Sequence, residues 1–166
     1  MTFKNTIFSI IITFLGTTQL SYAIQELDWQ SLIPESARKS MSLQQQLMSQ
    51  TNHTIDAQTP QSQISEVRMD LHGEYVKIPG YIIPLEGDHE KTTEFLLVPF
   101  MGACIHVPPP PPNQIIHVSF PDGIPVTELW DLTYVIGKMN VTSQSFELAN
   151  TGYSIDGLAI ETFKEP

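Results

Sequence analysis

One short stretch carries most of the residues able to do chemistry: G-A-C-I-H-V-P-P-P-P-P-N-Q-I-I-H-V, from Gly102 to Val118. It holds the single cysteine of the chain, Cys104, and two of its five histidines, His106 and His117. Side chains repeat every two residues along an extended backbone, so Cys104 and His106 leave the same face if the chain is extended there. Pro99 before them and Pro108 after them favour that conformation, because a residue preceding proline is pushed out of the helical region. A thiolate and an imidazole side by side are two of the four donors a tetrahedral zinc site takes, and they suit copper as well. His117 is a third candidate ligand if its strand neighbours that of Cys104. The charged stretch Glu86, Asp88, His89 and Glu90 would supply a fourth, with His89 the preferred donor.

The prolines are the second feature. Pro108, Pro109, Pro110, Pro111 and Pro112 form a polyproline II rod, rising about 3.1 Å per residue with no N–H groups to satisfy. Asn113 suits the turn that follows, and Gln114 can bridge loops. The rod either braces the domain against its own aromatics, such as Phe100, Phe120 or Trp130, or offers a partner protein a preformed docking surface. A third reading makes Cys104 a nucleophile with His106 as its base. Neighbours at i and i+2 on a strand run parallel instead of pointing at each other. There is also no G-x-S-x-G, H-E-x-x-H or phosphate-binding glycine loop, and no second cysteine to resolve a disulfide. Binding is therefore expected over catalysis, with a structural, buried cysteine as the alternative to any activity.

These residues need a scaffold, and the rest of the chain describes one. Lys4, an apolar run from Ile7 to Leu15, and Ser21-Tyr22-Ala23 form a secretory signal peptide over residues 1–23, too short to span a bilayer convincingly. With no cysteine at the cleavage point, no lipid anchor is expected, and the protein is placed in the periplasm without membrane attachment. About 143 residues (166 less 23) remain, enough for one domain with a core. A net charge of −10 repels phosphate backbones, so nucleic acid is excluded as a partner.

Residues 24–63 read as a helical lead and linker. Trp29-x-x-Leu32-Ile33 makes one turn stopped by Pro34, a second helical stretch starts at Ser36, and 52–63 is a polar loop. From residue 64 to 166 the period changes to two. Val67, Met69 and Leu71 alternate with polar residues up to a turn at Gly73. Tyr75 to Ile83 is a strand bent at Pro79-Gly80, and Gly87 to Lys91 a charged hairpin loop. Glu94 to Phe100 and Gln114 to Phe120 follow, the latter closed by the turn signal Pro121-Asp122-Gly123. Leu132 to Val141, with Gly137 at a bend, and Tyr153 to Phe163 complete the set. Short strands with mid-strand glycines and no alternating helices predict a mainly β fold. A small antiparallel barrel of the OB type is expected, with a β-sandwich as the alternative.

The motif G-A-C-I-H-V-P-P-P-P-x-N-Q-I, preceded by G-Y-I-I-P-L and L-L-V-P-F, resembles an uncharacterised family of exported proteobacterial proteins, a domain of unknown function. The likeness covers roughly Val67 to Val141 and the D-W-x-x-L-I-P lead at Asp28 to Pro34. Its pattern carries onto Gly102, Cys104, His106, Pro108 to Pro111, Asn113 and Gln114. The resemblance implies a periplasmic location and an association with ABC-type transport systems and metal supply. It implies no reaction.

Overall fold

The structure, a computed structural model, describes residues 23–38, 61, 66–103, 109–125 and 131–162. The expected signal peptide, most of the second helical stretch and the 52–60 loop lie outside these residues, as do Cys104, His106 and Pro108. Among the described residues there are six strands: β1 (Gln25–Glu26), β2 (Tyr75–Gly87), β3 (Lys91–Val98), β4 (Ile116–Pro125), β5 (Thr133–Ser145) and β6 (Asn150–Thr162). Hydrogen bonding runs β2-β3-β4-β6-β5 and returns from β5 to β2, closing a five-stranded barrel to which β1 is added in parallel beside β2. The sandwich alternative gives way to this closure.

The barrel is mixed, not purely antiparallel, because β4 and β6 run parallel with Ile116 opposite Tyr153. Directions cannot alternate all the way around a ring of five, so one pairing has to be parallel. Strand order and the parallel pair are those of an OB-like barrel.

Closure depends on β2 changing partners. Tyr75 to Gly80 pair with β5, and Tyr81 onward pair with β3, so Gly80 sits at the corner. A Cβ at Gly80 would lie 2.7 Å from Leu97 Cγ and 2.9 Å from the Val98 carbonyl. Only a residue without a side chain lets the strands approach there. Gly137, opposite Gly157 where β5 and β6 slip register, does the same against the Asp156 carbonyl.

Alternation fills the interior with Val76, Ile78, Phe95, Leu97, Ile116, Val118, Val135, Met139, Tyr153 and Ile155. The lead closes over this core: Leu27 and Leu32 join it, and Trp29 Nε1–H donates to the Pro79 carbonyl at 2.7 Å. On the outside, Ile83, Leu96, Val98, Ala103, Ile115 and Ala149 form a second buried cluster. This explains why Phe95-Leu96-Leu97-Val98 is apolar without interruption, since both faces of β3 are covered.

Two expected elements turned out differently. Val67, Met69 and Leu71 do not form a strand: Met69–Leu71 is a single 3-10 turn, with Met69 67% exposed and Leu71 1%. Residues sharing a strand face would be buried alike. Pro121-Asp122-Gly123 does not end its strand either. Ser119 faces Glu94 and Ile124 faces Thr92, so residues 120–123 bulge opposite Thr93 and β4 resumes. Phe120, at the start of the bulge and of the same parity as Val118, packs on Phe95, with ring centroids 6.4 Å apart.

Candidate functional site on the outer face of the barrel

Cross-strand rows define this face. Tyr81 lies opposite Val98; the next row on the same face holds Ile83, Leu96 and His117; the row beyond pairs Glu94 with Ser119. His117 thus projects from β4 away from the barrel interior, beside the second cluster. It is 8% exposed. Its Nε2 lies 3.2 Å from Glu94 Oε2, and its ring packs on Phe146 with centroids 4.8 Å apart. Phe146 belongs to the β5–β6 hairpin turn, closed by its N–H donating to the Ala149 carbonyl. It packs against the same cluster that buries Ala103 completely. Cys104 is the next residue along the chain.

The other predicted residues fall in different places. His89 is exposed at the tip of the β2–β3 hairpin, where Asp88 Oδ1 accepts the N–H groups of Glu90 and Lys91, both at 2.8 Å. Those two bonds hold the Asp88 carboxyl below the ordinary carboxylate range. From Leu96, opposite His117, to Lys91 is five residues, on the order of 15 Å of strand. The structure does not bring His89 to His117. Among the described residues no three His, Cys, Asp or Glu side chains converge as metal ligands.

The described part of the proline rod is built into the domain. Pro110 and Pro112 are buried, while Pro109 and Pro111 are half-buried. Gln61 reaches across with its side-chain amide, donating to the Pro110 carbonyl at 2.8 Å and the Asn150 carbonyl at 2.9 Å. Its Oε1 accepts the Asn150 N–H. Pro112–Gln114 then forms a 3-10 turn. Asn113, fully buried, donates from Nδ2 to the Glu66 carbonyl at 2.8 Å, and Gln114 Nε2 donates to the Trp29 carbonyl at 2.9 Å. Asn113 and Gln114 thereby tie the lead and the 66–68 segment to the root of β4.

Tyr153 completes that tie. Its hydroxyl donates to the Leu32 carbonyl and accepts from the Arg68 N–H, both at 2.7 Å, and burial raises its pKa. Sequence reading passed over Glu94 and Phe146. Glu94 carried a legible signal: it has the same parity as buried Leu96, a charge on an otherwise apolar face. Phe146 carried none, because its position follows from where the hairpin folds back.

A closed OB-like barrel with an N-terminal strap and a capped outer face is the class these features define. The chain belongs to the DUF3299 family, a protein of unknown function, whose model matches residues 29–162. It is similar to the crystal structure of a DUF3299 family protein from Pseudomonas aeruginosa PAO1, at 35% identity and a TM-score of 0.69. That match covers 87% of this chain and 99% of the other. No curated protein matches the chain.

Proposed function

We propose that this is an exported periplasmic binding protein that takes up a transition-metal ion, zinc or copper, as an accessory to a transport system. Cys104 and His106 are its first ligands and His117 its third. The observation that carries this reading is the shared environment of Ala103 and Phe146. The chain enters Cys104 from a residue buried in the cluster on which Phe146 packs, and Phe146 holds the His117 ring. A soft thiolate with imidazoles is the donor set zinc and copper prefer. Export follows from the signal-peptide pattern of residues 1–23.

The test is thermal unfolding of the reduced, metal-free protein with and without zinc. A ligand that binds only the folded state raises its midpoint. The expected result is a zinc-dependent rise that Cys104→Ala removes. A midpoint indifferent to zinc and copper overturns the reading.

A further inference from the structure

We propose that Asp122-Gly123 is a site of spontaneous covalent modification, where the backbone rearranges from an aspartyl to an isoaspartyl link under the influence of the Lys91 ammonium. The proposal does not depend on the metal-binding reading.

The rearrangement needs no reagent but water. The Gly123 nitrogen attacks Cγ of the Asp122 carboxyl in its acid form, and a C–N bond forms. The carboxyl O–H leaves with the nitrogen's proton as water, closing a five-membered succinimide. Water then opens one of the two ring carbonyls. Opening at the former side-chain carbon restores aspartate. Opening at the former main-chain carbon leaves the chain running through the β-carboxyl, with a free α-carboxylate. The water lost is regained, so mass and charge are unchanged.

Ring closure needs an accessible carboxyl, a peptide free to turn, and no side chain crowding the attacking nitrogen. Asp122 is exposed. Residues 120–123 lie in the bulge, where the register with β3 jumps from Ser119 to Ile124 and the pairing with β6 has ended at Ser119. Gly123 has φ of 69° and no Cβ. Lys91 Nζ donates to the Asp122 carbonyl at 3.0 Å. That contact acts twice. Polarising the carbonyl acidifies the Gly123 N–H joined to it. In the ring, the same carbonyl is the one whose opening gives isoaspartate, and a positioned cation favours charge developing on its oxygen. The α-carboxylate so formed then faces an ammonium.

The other Asp-Gly pair of the chain, Asp156-Gly157, is an internal control. Asp156 is held between Ser119 of β4 and Lys138 of β5, and Gly157 lies opposite Gly137. Asp156 Oδ2 accepts from Asn140 Nδ2 at 3.1 Å. This peptide cannot turn to close a ring without leaving the sheet.

The test is incubation of the folded chain near neutral pH, followed by digestion with a protease that cuts before aspartate but not before isoaspartate, and mass spectrometry. Resistance to cleavage is expected to grow with time at Asp122 and not at Asp156, and to grow alike at both in urea. No isoaspartate at Asp122, or equal rates at both sites in the folded chain, overturns the proposal. Lys91→Gln is expected to slow the Asp122 rearrangement about threefold, the scale of one exposed charge, and to leave the rate in urea unchanged. A folded-state rate equal to the wild type overturns the part assigned to Lys91.

Discussion

The Tyr153 hydroxyl donates a 2.7 Å hydrogen bond to the carbonyl of Leu32, joining residues 121 positions apart. The same oxygen accepts the Arg68 N–H at 2.7 Å. One side chain of β6 therefore satisfies two backbone groups from segments that precede the barrel. In Tyr153→Phe both groups lose their partner where water has little access, at a cost of about 2 kcal/mol. Urea unfolding should show a lower midpoint with an unchanged slope, since the fold and the area it buries stay the same. A midpoint equal to the wild type would mean the strap is held elsewhere.

Gly137 and Gly73 should respond very differently to alanine. A Cβ at Gly137 would run into the Asp156 carbonyl and lie 2.5 Å from Ile155 Cγ2, so backbone has to move at a barrel seam. That costs more than about 3 kcal/mol, and Gly137→Ala is expected to express poorly or unfold early. Gly73 has φ of 88° and nothing within 4 Å of an added Cβ, leaving only the left-handed backbone penalty of about 1–2 kcal/mol. Equal midpoints for the two variants would contradict the seam.

Acid should loosen the β2–β3 hairpin at Asp88. Its folded pKa is depressed, so its contribution is present above the unfolded value, about 3.9, and disappears as pH falls through the folded value. Amide exchange at Glu90 and Lys91 is expected to be faster in Asp88→Ala than in the wild type near neutral pH. The difference should close only as pH falls through the depressed folded value, where the wild-type carboxylate protonates. A difference that persists into acid would show that the turn does not depend on that charge.

How far the fold could be read from the residues depends on what each stretch has to satisfy. Tyr75 to Ile83 alternates because one face of β2 fills the barrel, and Gly80 marks the bend because no side chain fits at the corner. The turn at Trp29–Leu32 was visible in the Trp29-x-x-Leu32-Ile33 spacing; the structure makes it a 3-10 turn and adds a cap from Asp28, whose Oδ1 accepts the Ser31 N–H. Where tertiary contacts decide, the pattern misled. Val67 to Leu71 has strand alternation, yet the Arg68 N–H is taken by Tyr153 from the far end of the chain. Pro121-Asp122-Gly123 has turn chemistry, yet pairing with β3 resumes at Ile124 and makes it a bulge. At the candidate site, His117 stood out by residue type. Its meeting with Glu94 and Phe146 needed the register of β3 against β4 and the fold-back of the β5–β6 hairpin, which no local spacing encodes.

The most direct test of the metal-binding account is optical titration of the reduced, metal-free protein with cobalt(II). Thiolate ligation produces a near-ultraviolet sulfur-to-cobalt charge-transfer band, and tetrahedral geometry produces intense visible d–d bands. The account predicts both in the wild type at one cobalt per chain. It predicts loss of the charge-transfer band in Cys104→Ser and weakened binding in His117→Ala. A cobalt spectrum in wild-type protein identical to that of Cys104→Ser would contradict it.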